Sequence, residues 1–395
     1  MNNDCLIIHI ITRLEPGGSA QNVIDSAVYQ ARDYKVVLVA GPHKGKEQLA
    51  LDLPENAQYL EIKNLVREIS PLKDLRAFLE LRKIISTLKP AIVHTHAAKA
   101  GILGRWAAWL YNRGRGPGRA IIVHTPHGHV FYGYFGPLKT FIFKLAERFT
   151  ARVTDRFIAL TEGERRESVA AGLGPAKKWT VIHSGVRFDD RIYEHAKPGL
   201  DIAADETVIA VVARLEPVKG VEYFIRAAAL LQQRNPDKKL RYLVVGDGSL
   251  STELINLADE LGLGGEIIFT GFQREVFKYL AAADIYVQPS LNEGMGRTVL
   301  EAQYMKLPVV ASDVCGLPDA VKDGVTGLLV PPGDPEALAA ALEILLKDTD
   351  LRHRMGKAAR QRVLEKDFTG YTRFSAESMT IQLKKFYNGL IARRG

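Results

Sequence analysis

An α/β fold of two parallel-sheet domains is what this sequence predicts, and three observations predict it. The chain has 395 residues, too many for one ordinary hydrophobic core and suited to two domains of about 150 to 200 residues each. Short apolar runs that end in glycine turns and pass into helical patterns recur from end to end, the alternation that builds strand–helix–strand units. A charged stretch at 186–205, carrying Pro198-Gly199, separates two such series. The predicted units are residues 1–195, residues 196–370 and a terminal helix at 371–395.

Composition narrows the class. Hydrophobic and charged fractions of 47% and 25% are those of a globular protein in water. Two cysteines far apart, Cys5 and Cys315, give no disulfide framework, so a reducing cytoplasm with both thiols buried is expected. Leu6 to Ile11 is apolar but is preceded by Asp4 and followed by Arg13, unlike a secretory leader. No apolar run approaches the 18 or so residues of a spanning helix. The net charge of +8 is lopsided: residues 1–195 hold 28 Lys and Arg against 19 Asp and Glu, whereas 196–395 hold 25 against 26. Such a basic half suits an anionic partner or plain solubility.

Leu6-Ile-Ile-His-Ile-Ile-Thr12 reads as a buried opening strand. Arg13-Leu-Glu-Pro-Gly-Gly18 then turns into a helix for which Ser19 is the expected cap. A glycine pair between strand and helix lets backbone approach a phosphate, and it also serves any tight turn. Val36–Ala40 is a second strand and Pro71–Leu88 an amphipathic helix. Ala91-Ile-Val-His-Thr-His96 is a third strand, ending in two histidines. No nearby cysteine or carboxylate completes a ligand set around them, so no metal is expected. Lys99 and Arg105, on the next helix, are read as exposed positive charges near the strand ends where open α/β sheets bind ligands.

Ala120–Pro126 repeats the strand pattern and runs into His127-Gly-His-Val-Phe-Tyr-Gly-Tyr-Phe-Gly136, which is unusually aromatic for a loop and broken by three glycines. The helix expected over Pro137–Arg152 interleaves aromatics with bases. That composition suits an anionic membrane surface or a core helix with a solvated basic face. Strands at Asp155–Thr161 and Trp179–Gly185 close the first unit.

In the second unit, the strand Thr207–Ala213 ends at Arg214-Leu-Glu-Pro-Val-Lys219-Gly220, just before a helix. An arginine, a lysine five residues on and a helix N-terminus can converge on one diphosphate. Leu240–Gly248 ends in Gly246-Asp-Gly248 but lacks the remainder of a dinucleotide fingerprint. Ile267–Gln273 carries Gly271 and Phe272 at its end. The strand Ala283–Pro289 leads into Ser-Leu-Asn-Glu-Gly-Met-Gly, with Glu293 and Glu301 separated by seven residues. On one continuous helix these carboxylates would be about 12 Å apart along the axis, too far for the acid–nucleophile pair of a retaining glycosidase. The better reading places Glu293 in the loop and Glu301 in the helix, flanking a site where Gly294 and Gly296 bare backbone N–H groups to an anion. Hydroxyl-rich groups on either side of a phosphate, as in a nucleotide sugar, fit that arrangement. Helices are expected over Asp334–Lys347, Leu351–Lys366 and Tyr371–Ile391.

Glu293, the seven-residue gap and Glu301, followed by Pro308-Val-Val-Ala-Ser-Asp313 and Asp323-Gly-Val-Thr-Gly-Leu-Leu-Val330, resemble the donor-binding signature of family 4 glycosyltransferases, and matching segments cover nearly the whole chain. It departs where Ala302-Gln-Tyr-Met-Lys306 replaces the more usual Ala-Met-Ala and a glycine, and where Cys315-Gly316 replaces Gly-Gly. The resemblance implies the retaining, metal-independent GT-B architecture: two Rossmann-like domains facing each other across a cleft, with the last helix crossing back to the first. It implies a donor site of Gly17, Gly18, Arg214, Lys219, Gly246, Phe272, Glu293, Gly294, Met295, Gly296, Val299 and Glu301. Arg214 and Lys219 would hold the departing diphosphate, Glu301 the ribose, Phe272 would lie near the base, and Glu293 with Gly294–Gly296 would hold the sugar.

His127-Gly-His-x-Phe131 further resembles members that act on membrane-linked polysaccharide precursors. His127 would contact the donor sugar, and the catalytic group would be His127, Arg214, Lys219 and Glu293. His96, Lys99, His129, Phe131 and Tyr132 would face the acceptor. The expected partners are a nucleoside-diphosphate sugar with UDP favoured, a lipid-linked or oligosaccharide acceptor, and the anionic inner face of a membrane; no cofactor and no nucleic acid is expected. A sugar-nucleotide epimerase is disfavoured by the glutamate pair, and a glucan phosphorylase by the short chain and missing pyridoxal-lysine context. A non-catalytic membrane binder has no reason to combine Arg214, Lys219 and both glutamates.

Overall fold

A computed structural model describes residues 5–15, 17–42, 53–116, 118–128, 136–188, 200 and 202–393. Seven strands form the first sheet: β1 Leu6–Ile11, β2 Lys35–Ala40, β3 Ala57–Glu61, β4 Ile92–His96, β5 Ile121–Thr125, β6 Arg156–Ala159 and β7 Trp179–Val181. Their order is β3-β2-β1-β4-β5-β6-β7, all parallel. Six more form the second: β8 Thr207–Val212, β9 Leu240–Val245, β10 Ile267–Phe269, β11 Ile285–Gln288, β12 Val309–Ser312 and β13 Gly327–Val330, ordered β10-β9-β8-β11-β12-β13 and again parallel.

The central strands are near-continuous apolar runs because helices cover both faces of each sheet. Ile8, Ile10, Val37 and Val93 pack under the helices Pro71–Leu88 and Ala98–Asn112, while Ile7, Ile92 and Val123 pack with Met379, Leu383 and Tyr387 of the last helix, Ala376–Ala392. The chain thus returns to its first sheet at the end. In both sheets the strand order reverses beside the first strand, between β1 and β4 and between β8 and β11. Those reversals open the crevices where α/β proteins bind ligands.

Local expectations differ at four points. The first helix opens at Gly18 with Gly17 as its cap, so Ser19 lies inside the first turn and caps nothing. The last helix starts at Ala376, because Ser375 accepts from the Ser378 N–H and residues 366–372 form a small bridged turn first. Asp348 caps the preceding helix, Thr349–Leu364, two residues earlier than periodicity suggests. Neither Cys5 nor Cys315 is fully buried.

Candidate active site

The cluster on the second sheet is assembled from three turns at the C-terminal ends of β8, β9 and β11. After β11 the chain passes Pro289 and Ser290, loops through Glu293, and enters the helix Arg297–Tyr304 from Gly296. Gly296 has φ +70, and a Cβ there would lie 2.8 Å from Leu317 Cδ2, so only glycine fits. After β8, Pro217–Lys219 makes one 3-10 turn that ends at Gly220, whose φ is +62. A Cβ on Gly220 would sit 2.2 Å from Pro289 O, and Leu291 N–H donates to Val218 O at 2.9 Å. The two turns are therefore laced together by backbone. The result is an ion pair of 2.5 Å between Lys219 Nζ and Glu293 Oε2, with Ser290 Oγ donating to the same carboxylate oxygen. Gly246, after β9, packs equally closely on Ala213 O and leaves Arg214 exposed.

Glu301 lies on the fifth residue of its helix, as the loop-and-helix reading requires. Burial raises its carboxyl to about 7, while Arg297 pulls the other way. Phe272 stands partly exposed beside Gly271. Met295 and Val299 point into the second core instead: Met295 Sδ accepts from Ser184 N–H, and Val299 is fully buried. Their side chains therefore serve the core, and what these two residues turn toward the cleft is backbone.

The first sheet contributes from across the cleft. A Cβ on Gly17 would come within 3.9 Å of Arg214 Nε, so the first glycine loop faces that cation. His127, left-handed at φ +59, and Gly128 lie against Gly294: a Cβ on Gly294 would meet Gly128 N at 3.2 Å. Thr161 Oγ1 donates to Gly294 O, and Gly316 N–H to Glu293 O. Gly128 N–H donates at 2.7 Å to Glu164, a buried carboxyl raised to about 7 by burial. His127 and the Glu293 loop are thereby one constellation. Burial, with Arg297 adding to it, lowers His127 to about 3, so its ring is neutral at pH 7.

Other predicted residues stand elsewhere. Lys99 is paired with Asp74 at 2.5 Å and also donates to the Glu68 carbonyl, so it is a helix tie rather than a free charge. Arg105 is fully buried in an ion pair with Glu147 at 2.6 Å. His96 is buried behind His127 and does not line the cleft. His129, Phe131 and Tyr132 lie outside the described residues.

Sequence reading also missed residues. Arg297 crosses between the sheets, its Nη1 donating to Ser184 and its Nη2 lying 3.7 Å from the buried Asp25 of the first helix, with its Cδ 3.2 Å from a Cβ on Gly18. His9, from β1, joins His94 and His96, with ring nitrogens of all three within 4.8 Å. That supplies the third ligand the sequence does not show. Yet every ring nitrogen of the three already has a protein partner: His9 with His96 and Gln30, His94 with Tyr387 and Thr125, His96 with His9 and His127.

Residues 16–190 match the family model "Glycosyltransferase Family 4", and residues 193–362 match "Glycosyl transferases group 1". The chain is 30% identical over 318 residues to the UDP-Gal:alpha-D-GlcNAc-diphosphoundecaprenol alpha-1,3-galactosyltransferase of Escherichia coli, covering 79% of this chain and 80% of that one. The chain belongs to glycosyltransferase family 4. The Staphylococcus aureus capsular polysaccharide biosynthesis glycosyltransferase CapM is also similar, at 28% identity over 82% of this chain and 83% of its own. The GT-B fold of this glycosyltransferase is shared with Anabaena HepE in complex with UDP and glucose (TM-score 0.75, 21% identity, 98% of this chain and 100% of that one). It is shared too with a sucrose-phosphate synthase from Thermosynechococcus elongatus (TM-score 0.81, 23% identity, 98% and 100%). Two facing parallel sheets, with groups gathered at the strand ends between them, are the form of this glycosyltransferase.

Proposed function

We propose that this glycosyltransferase moves a hexosyl or N-acetylhexosaminyl group, with retention, from a UDP-sugar to a lipid-linked or saccharide acceptor in cell-envelope polysaccharide synthesis. The observation that carries the donor reading is the juxtaposition of Arg214, Lys219 and the Arg297–Tyr304 helix N-terminus opposite the Gly17 loop. Breaking the anomeric bond puts charge on the leaving phosphate, which pre-placed cations and backbone N–H groups stabilise more than the ground state. On donor binding the diphosphate takes over Lys219, releasing Glu293 to accept from sugar hydroxyls. The neutral His127 adds a hydrogen bond without adding charge. Glu301 holds the ribose hydroxyls, and the leaving phosphate accepts the acceptor's proton on the face it departs from. These cations do the work a divalent ion would otherwise do. The acceptor reading rests on the similarity to the galactosyltransferase whose name specifies a diphosphoundecaprenol substrate.

Thermal unfolding with UDP, GDP and ADP tests the donor. UDP at 100 times its dissociation constant should add about 2.7 kcal/mol of stability, with or without EDTA. A shift that EDTA abolishes would overturn metal independence, and no shift with any of the three would overturn the nucleotide site. Conversion of the UDP-sugar to its epimer without transfer would favour an epimerase instead.

On the helix Pro137–Thr150, Leu138, Phe141, Ile142, Leu145 and Phe149 form a solvent-exposed stripe, at 73% for Leu138 and 62% for Phe141, beside exposed Lys139 and Arg148. The Pro71–Leu88 helix exposes Leu72, Leu75 and Leu79 likewise, and both helices pack on Ala98–Asn112. All three helices follow strands of one parallel sheet, so their N-terminal turns share the cleft edge. Apolar residues outward with bases beside them suit insertion into an anionic interface. Co-sedimentation with vesicles containing anionic phospholipid should retain the protein. Leu138→Glu with Phe141→Glu should lower that binding more than tenfold, since each lost apolar contact is worth roughly 1.5 to 3 kcal/mol. Equal retention of wild type and variant would remove this face from the proposal.

A further inference from the structure

Behind His127 runs a buried file of neutral imidazoles with a direction built into it. His127 Nε2 lies 2.9 Å from His96 Nδ1, His96 Nε2 lies 2.9 Å from His9 Nδ1, and His9 Nε2 lies 2.7 Å from Gln30 Oε1. Burial lowers His9 to about 4 and His96 well below its ordinary value, so both are uncharged near neutrality. A neutral imidazole has one N–H and one bare nitrogen, and the partner of one decides the other. The Gln30 carboxamide turns its oxygen to His9. Its Nε2 is buried without a hydrogen-bond partner of its own, in the neighbourhood of the Tyr387 phenol.

An amide oxygen can only accept, so His9 donates from Nε2 and accepts at Nδ1. His96 must then donate from Nε2 to His9 and accept at Nδ1. His127 must donate from Nε2 to His96, which leaves its Nδ1 as a bare acceptor. In the structure that Nδ1 is a buried atom with no hydrogen-bond partner, while the His127 backbone lies against the Gly294 loop. An unsatisfied buried acceptor is costly unless a ligand completes it.

We propose that Gln30, His9 and His96 form a tautomer relay that fixes His127 as its Nε2–H form and so aims the bare Nδ1 at a hydroxyl of the transferred sugar. Gln30, His9 and His96 are positioning residues that never touch substrate. The inference deepens the transferase reading and rests on it for the identity of the hydroxyl donor. The relay itself is independent of that reading.

The test has two arms. In protein labelled with 15N-histidine, the His127 resonances, assigned by their loss in His127→Gln, should show Nε2 protonated and Nδ1 bare. A protonated Nδ1, or an even mixture of tautomers, would overturn the relay even if no transfer activity were found with any donor. In the kinetic arm, His96→Asn and His96→Leu share a side chain branched at Cγ, but only the asparagine oxygen can replace Nδ1 as the acceptor for His127. His96→Asn should keep most of the turnover, while His96→Leu should lower kcat about tenfold with KM for the donor within twofold. Equal kcat in the two variants would overturn the aiming of His127.

Discussion

Replacing Lys219 by alanine should lower kcat by about 100- to 1000-fold while leaving the protein folded. The magnitude is that of removing one pre-placed donor from a site of developing negative charge. Lys219 stands where the leaving diphosphate is proposed to form, on a turn clamped by Gly220 against Pro289 O, so no reorganisation is needed as charge develops. Loss of the amine also leaves Glu293 without its 2.5 Å partner, and that carboxylate would then face the diphosphate uncompensated. Lys219→Ala with Glu293→Gln should therefore be less impaired in donor binding than Lys219→Ala alone, a coupling that a mutant cycle reads directly. The fold should survive, because both side chains keep an edge to solvent and Ser290 Oγ still donates to the Glu293 carboxylate. Steady-state kinetics with a UDP-sugar, beside thermal unfolding, separates the two effects. Near-normal turnover in Lys219→Ala would remove it from the chemistry.

What was legible in the sequence was mostly what glycine and chain order dictate. Gly220, Gly246 and Gly296 stand where another backbone or a core side chain comes too close for a Cβ, and those contacts hold the turns carrying Arg214, Lys219 and Glu293. Such positions announce themselves one residue at a time. Facing across helices does not. Arg105 looks like a surface base on any helical wheel, and only the neighbouring helix with Glu147 makes it a buried ion pair. The basic, aromatic helix Pro137–Thr150 had two readings for the same reason, and the structure leaves its apolar stripe exposed. Likewise His9 and His94 are 85 positions apart yet sit on adjacent strands in register, a pairing that depends on sheet order. The Arg297–Asp25 approach needs both domains in place and has no local signal at all.

The histidine layer also makes the fold sensitive to acid, and the expected loss is large. Burial lowers His9 to about 4, His127 to about 3, His94, His96 and His124 well below 6.5, and His183 in the same direction. In the unfolded chain each titrates near 6.5. Between those values the unfolded state binds more protons than the native one, so stability falls as pH falls. This contribution is complete above pH 6.5 and is lost progressively on acidification toward 4. Glu164 and Glu301, raised to about 7 by burial, act the other way: the native state holds their protons between about 4.5 and 7, so their contribution is complete below 4.5 and lost as pH rises through 7. Six histidines outweigh two carboxyls between pH 6 and 5. Each unopposed proton is worth about 1.4 kcal/mol per pH unit, which is appreciable beside an ordinary domain's 5 to 15 kcal/mol. The thermal midpoint should therefore be highest near pH 6.5 to 7 and drop steeply toward 5. His9→Gln, which can still donate its amide toward Gln30 Oε1 but cannot titrate, should make that drop shallower by about one proton's worth. A midpoint unchanged between pH 7 and 5 would mean that the histidines take up protons in the native state, and a file of protonated rings could not hold His127 in one neutral form.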